Sequence, residues 1–174
     1  MLDLAIKYEK KLQELFANIA FDEKYMFFSG STFREKYTAD DSTWSKHEFV
    51  SLDKDSDVIG YIKYSIDREC SMAYALQIVN FSDNKATFGK DVMKALDEIF
   101  TKFNFRKLKY GVFVGNPIES TYDKLTEKYG GRIVGMNVQD DKLIDGNYYD
   151  YKSYEIFRDD YLLHKNCKQE KLMR

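Results

Sequence analysis

Residues 73–117 read AYALQIVNF SDNKATFGK DVMKALDEIFTKFNFRK LKYGVFV GNP, and the fold turns on this stretch. Ala73–Phe81 is nearly continuous apolar (Tyr74, Leu76, Ile78, Val79, Phe81), the pattern of a central strand covered on both faces. The period then changes. Phe88, Val92, Met93, Leu96, Ile99, Phe100 and Phe103 fall on one face of a helix, with Lys90, Asp91, Lys94, Asp97 and Lys102 opposite. Asn104 is a stop signal, and Leu108–Val114 reads as the next strand. A right-handed crossover sets Ala73–Phe81 beside Leu108–Val114 as a parallel pair. No second crossover of this kind occurs in the chain, which excludes a doubly wound dinucleotide fold, built from several in succession.

Working outward, hairpins flank the parallel pair. Upstream, His47–Leu52 and Val58–Ile66 are strand-like runs separated by Asp53-Lys54-Asp55-Ser56-Asp57. Downstream, Gly115-Asn116-Pro117 opens a helix with apolar positions Ile118, Tyr122, Leu125 and Tyr129. Pro117 suits a first helical position and Asn116 an N-cap, while Gly130-Gly131 ends the helix. Two strands follow, Arg132–Val138 and Tyr148–Phe157, joined around Asp145-Gly146-Asn147. At the other end, Leu4, Tyr8, Leu12, Leu15 and Ile19 predict a helix over Leu4–Ile19. From Phe21 to Trp44 the pattern breaks down, with a short strand expected at Tyr25-Met26-Phe27-Phe28 and a turn at Asp40-Asp41-Ser42. The polar tail from Asp159 either adds a helix or frays. The fold class is therefore α/β, an α+β mixed sheet with one parallel β-α-β crossover, flanking antiparallel hairpins and helices on both faces.

Composition narrows the function classes. The 174 residues make one domain, 1–174, with a helical or irregular segment at 1–44, the β-α-β unit at 73–117 and the terminal hairpin at 132–157. With 27 Lys+Arg against 29 Asp+Glu, the chain lacks the basic excess of a nucleic-acid binder. Cys70 and Cys167 have neither disulfide nor zinc spacing, so no metal is expected and a reducing, cytoplasmic setting is. Asp3, Lys7, Glu9, Lys10, Lys11 and Glu14 break any signal-peptide core near the start, and no 18-residue apolar run marks a membrane span. The 14 Tyr and 13 Phe fit a dense aromatic core, with a lined pocket as the alternative.

Ligands bind beyond the carboxyl ends of parallel strands where sheet direction switches. Two loops leave those ends, Ser82–Lys90 and Gly115–Pro117. The first runs into a helix N-terminus, whose free amides and dipole suit a phosphate, with Lys85 and Lys90 adding charge and Gly89 permitting close approach. An ordinary helix start with solvated lysines explains the same residues. Neither G-x-x-x-x-G-K-[ST] nor G-x-G-x-x-G is present.

From about Phe49 to Phe157 this order of elements resembles the GNAT superfamily of acyl-CoA-dependent N-acyltransferases. That family holds the CoA pyrophosphate in a loop of pattern Q/R-x-x-G-x-G/A. The matching stretch is Asn84-Lys85-Ala86-Thr87-Phe88-Gly89, where Asn84 stands at the Gln/Arg position, Thr87 at the first glycine, and the last glycine is kept. The resemblance implies acetyl-CoA as co-substrate, bound by residues 84–90 through Lys90. It further implies a carbonyl-polarising backbone N–H at a strand bulge, Ile78 or Val79. The family's Asn at the end of the next strand and Tyr on the following helix point to Asn116 and Tyr122, the Tyr as acid for the leaving thiolate. The helical spacing alone reads Tyr122 as a core aromatic on the Ile118–Leu125 stripe. For a general base, Asp67, Glu69 and Asp83 flank the central strand; His47 and His164 read as structural or surface groups.

The reading is an acetyl-CoA-dependent N-acetyltransferase acting on a primary amine, a small molecule or a protein. Its acceptor pocket is expected from the first helix, Tyr25–Phe33, Trp44 and the final hairpin, with Asp40 and Asp41 suiting a cation. No nucleic-acid or membrane partner is expected; the aromatic hairpin offers an edge for a homodimer. The alternative is a non-catalytic domain of the same fold that binds a partner or CoA without turnover.

Overall fold

The computed structural model describes residues 1–28 and 36–172, with side chains to 167. Seven strands and four α-helices follow in the order β1 (Leu2–Leu4), α1 (Glu9–Ile19), β2 (Lys46–Leu52), β3 (Val58–Asp67), β4 (Met72–Asn80), α2 (Lys85–Thr101), β5 (Lys107–Phe113), α3 (Glu119–Lys128), β6 (Arg132–Lys142), β7 (Tyr148–Phe157) and α4 (Arg158–Leu172). They form one mixed sheet in the order β1-β2-β3-β4-β5-β7-β6, antiparallel except for the β4–β5 pair. Among the described residues no helix is long and apolar enough to cross a membrane.

Side-chain alternation divides the core into two layers. On one face, Leu12, Phe16 and Ile19 of α1 pack on Val50, Leu52, Tyr61 and Val79. On the other, Phe88, Leu96, Ile99 and Phe100 of α2 pack on Phe49, Ile62, Tyr64, Ile66 and Leu76, while Tyr122 and Tyr129 extend the layer over Tyr110, Tyr154 and Ile156. Each fully buried aromatic of this kind contributes about 2–3 kcal/mol by leaving water. Helix α2 lies so close to β3 that a Cβ on Gly60 would sit 2.2 Å from the Phe88 ring. The aromatic surplus is thus largely core. Helix α4 closes the layer, with Tyr161 stacked on Phe100 at 4.5 Å.

Three local expectations are corrected. The N-terminal helix begins at Glu9; Leu2–Leu4 instead zips onto β2, and Ala5–Tyr8 is a 3₁₀ turn. The cause is Asp3, which accepts hydrogen bonds from Leu4 N, Lys7 and Tyr8 and so fixes a bend at Leu4. Tyr25–Phe28 is no strand. Asp22 caps a 3₁₀ turn over Glu23–Tyr25 by accepting from Lys24 N. The helix expected at Pro117 starts at Glu119, because Asn116 Oδ1 accepts from Ile118 N and a turn intervenes after Gly115, whose φ is +91°.

One feature of β4 positions everything that follows. Lys63 pairs with Gln77, but Ser65 pairs with Tyr74, so a single β3 residue faces two on β4. The extra residue is accommodated at Ala75, which adopts φ +51°, in the left-handed region. Parallel pairing with β5 covers only Met72↔Lys107 and Ala73↔Leu108 and ends where the bulge begins. Beyond it the two parallel strands part.

Candidate active site at the gap between β4 and β5

Backbone alternation decides which groups face the gap. Phe81 N–H donates to Ile59 O on β3 at 2.9 Å. In an antiparallel ladder alternate residues share this direction, so the amides of Val79 and Gln77 belong to β3, while those of Ile78 and Asn80 point away from it. On that far side β5 has departed. Ile78 therefore presents a backbone donor to the gap; Val79 does not, its amide turned to β3 and its side chain to the α1-side core. Asn80 shows the same bearing, because its carbonyl accepts from the Tyr25 hydroxyl at 3.0 Å across the mouth of the gap.

The loop that follows is tied largely to itself. Asn80 Oδ1 accepts from Ser82 N, and Ser82 Oγ from Asn84 N. Lys85 N donates to Asp83 O at 2.8 Å, Thr87 N to Asn84 Oδ1 at 3.2 Å and Phe88 N to Asn84 O at 3.2 Å. Ala86 keeps the open amide of the first turn among the described residues. Phe88 is corrected from the cofactor-binding set to the core, where its ring fills the space over Gly60. Gly89 has nothing within 4 Å of where a Cβ would stand, so its flank is open to a ligand. Lys85 and Lys90 are exposed beside it. Asn84 takes the N-cap that the family pattern reserves for a longer polar side chain. The residues fit a diphosphate at the Ala86 amide, the Gly89 flank and the two lysines, with Thr87 N available once Asn84 turns away.

At the end of β5, half-buried Asn116 spends its Oδ1 on the turn into α3. Tyr122, one turn into that helix, is buried edge-on against Tyr110 at 5.3 Å and Tyr154 at 6.2 Å. Its hydroxyl makes no hydrogen bond among the described residues. Burial, with Tyr110, Tyr151 and Tyr154 adding to it, pushes its pKa well up, so the phenol stays protonated. Glu119 and Asp123 on the same helix hold Lys152 of β7, and Tyr154 donates to Asp123 Oδ1 at 2.8 Å.

Of the carboxylates named for a base, two lie at the β3–β4 turn and one in the loop after β4. Asp67 Oδ1 accepts from Cys70 N in the β3–β4 turn, Glu69 is exposed in the same turn, and Asp83 is fully exposed beside Lys24. His47 bonds Tyr64 through Nδ1 at 2.8 Å, and His164 bonds Asp160 O. Among the described residues no group of three His, Cys, Asp or Glu side chains could hold a metal ion.

Segment 21–28 and the terminal hairpin do meet. Phe27 touches Tyr149 edge-on at 5.6 Å, and a cleft of about 390 Å³ opens between Phe21, Glu23, Met26, Ile144 and Asp145. Trp44 is not part of it, being exposed and laid against Arg68. Asp40 and Asp41 line a different hollow beside β2, and residues 29–33 of the expected pocket wall lie outside the described residues.

No family model matches the sequence, and no curated protein does. Solved structures do. Spermidine N-acetyltransferase from Vibrio cholerae in complex with CoA and spermine superposes with a TM-score of 0.71 at 23% identity, covering 93% of this chain and 97% of that one. A chimera of that enzyme with hSSAT gives 0.69 at 24%, covering 93% and 98%. The same enzyme with manganese ions gives 0.67 at 23%, covering 93% and 94%. Over nearly its whole length, this chain has the GNAT fold that its element order resembled.

Proposed function

We propose that the chain is an acetyl-CoA-dependent N-acetyltransferase that acts on a primary amine. The observation carrying this reading is the bulge at Ala75, which parts β4 from β5 and leaves the Ile78 amide facing the gap. In such a reaction a bond forms between the amine nitrogen and the thioester carbonyl carbon as the carbon–sulfur bond breaks. One proton leaves nitrogen for solvent and one reaches sulfur from an acid that solvent then reprotonates, so the sum is amide plus thiol. The Ile78 N–H polarises the carbonyl, a donor fixed by the strand. Tyr122, kept protonated by burial, supplies the sulfur's proton. Asn116 sets the turn that aims α3 and so positions Tyr122. The α2 N-terminus, Lys85 and Lys90 hold the diphosphate.

The structural neighbour's spermine makes a polyamine the first acceptor to try. Two cysteines exposed and unpaired accord with work in a reducing cytoplasm, and the exposed β6 edge with a homodimer. The test is calorimetric titration with acetyl-CoA followed by thiol release in the presence of spermine. Absence of binding at millimolar acetyl-CoA ends the reading. A second reading, a GNAT-fold domain that binds CoA or a partner without turnover, is favoured by Asn84 holding the Thr87 amide. Binding without thiol release over a broad amine panel identifies it.

A further inference from the structure

Across β2, β3 and β4, Glu48, Lys63 and Gln77 are register partners and form one row on the α1 side of the sheet. Gln77 ends the row at the gap, one residue before the amide of Ile78. Its Oε1 is sealed from solvent and accepts no hydrogen bond among the described residues. Leaving a buried acceptor unmade is costly, and native chains rarely do so without a ligand or water that completes it. The other members of the row are spoken for or of the wrong kind. Glu48 accepts from the Tyr61 hydroxyl at 2.6 Å and from Asp40 N, and lies 3.3 Å from the Lys46 ammonium. Lys63 is half-buried and has no acceptor to offer.

We infer that Gln77 Oε1 receives an N–H of the acceptor amine and sets it beside the carbonyl bound at Ile78. The inference rests on the transferase reading and names a substrate-binding group for its second half. Consecutive residues of one strand divide the work: the pleat sends the Ile78 amide into the gap and the Gln77 side chain to the α1 side. A neutral amide oxygen next to Lys63 accepts from an uncharged amine, the form that attacks, without stabilising an ammonium as a carboxylate does. No proton needs to move onto Gln77.

The experiment uses the full chain, acetyl-CoA, and spermine and n-butylamine as acceptors, with thiol release as readout and calorimetry for acetyl-CoA. Gln77→Leu is expected to raise the amine KM about tenfold, the value of one hydrogen bond, while acetyl-CoA affinity stays within twofold. Gln77→Glu keeps an acceptor oxygen at the same reach and is expected to keep KM within threefold, while its carboxylate holds the amine as ammonium and lowers kcat at pH 7. An unchanged KM in Gln77→Leu overturns the inference, as does an equal rise in both variants. Should the chain bind acetyl-CoA yet turn over neither amine, the Gln77 side-chain amide resonances are followed during n-butylamine titration; no shift overturns the inference while the CoA reading stands. Failure to bind acetyl-CoA at all is the separate failure of the transferase reading.

Discussion

Asn84 Oδ1 accepts the amide hydrogen of Thr87 at 3.2 Å, so the side chain at the head of the loop proposed to hold the diphosphate occupies one of its amide donors. Under the proposed function, a phosphate that takes the Thr87 amide displaces this contact, and the helix loses its cap when it does. Replacing Asn84 by Gly frees the donor while costing the helix only a few tenths of a kcal/mol. Asn84→Gly is expected to bind acetyl-CoA about three- to tenfold more tightly by calorimetry, for one regained charge-assisted hydrogen bond. Unchanged or weaker binding would show that the phosphates sit elsewhere.

Tyr122 is where a core role and a chemical role predict different numbers. Its ring completes an aromatic group with Tyr110 and Tyr154, and its hydroxyl makes no hydrogen bond among the described residues. Tyr122→Phe keeps the packing, so thermal stability is expected to change by less than about 0.5 kcal/mol. As the acid for the thiolate, the same change is expected to lower kcat by about a hundredfold or more with acetyl-CoA affinity intact. Equal kcat in the two proteins returns Tyr122 to a purely structural role.

The framework was legible because long apolar patterns carry it. Phe88 to Phe103 repeats at helical spacing, and 73–81 is too apolar for anything but a central strand, so the crossover followed. The bulge was far less visible. An alanine gives no warning of a positive φ, and the only trace in sequence is that Ala73, Leu76 and Ile78 share a face at spacings of three and then two. Gln77 was missed for the same reason: its place beside the gap depends on where β5 leaves. A three-residue strand such as Leu2–Leu4 is too short to show alternation, and Asp67 and Glu69, adjacent to the central strand in sequence, sit at the β3–β4 turn, at the end of β4 away from the gap.

Glu155 gives the clearest pH dependence. It is buried on β7, where burial pushes its carboxyl up but hydrogen bonds from Lys107 Nζ at 2.9 Å and Arg132 Nε at 2.7 Å outweigh that and hold it below its ordinary 4.5. A carboxyl depressed in the folded state stabilises fully above its unfolded value, and this contribution drains as pH falls through the folded one. Glu155→Gln leaves Lys107 buried without its counter-charge and is expected to cost about 3 kcal/mol at pH 7. Denaturant unfolding across pH 7 to 3 is expected to show the gap between the two proteins narrowing on the acid side of 4.5. A gap that stays constant with pH would mean that the charge on Glu155 does not stabilise the fold.

Ala75 links stability to the opening of the gap. An alanine at φ +51° bears a steric cost of about 1 kcal/mol that glycine does not. Ala75→Gly is expected to raise unfolding free energy by up to that amount and to leave acetyl-CoA binding unchanged, since the bulge persists. Valine is the opposite case: branching at Cβ resists a positive φ more strongly, and relief by straightening β4 would turn Leu76 and Ile78 out of the α2-side core. Neither option is cheap, so Ala75→Val is expected to lose about 2 kcal/mol or more and most acetyl-CoA binding together. If Ala75→Val unfolds at the wild-type midpoint and binds acetyl-CoA normally, the parting of β4 from β5 does not depend on this bulge, and the assignment of the Ile78 amide to the gap fails with it.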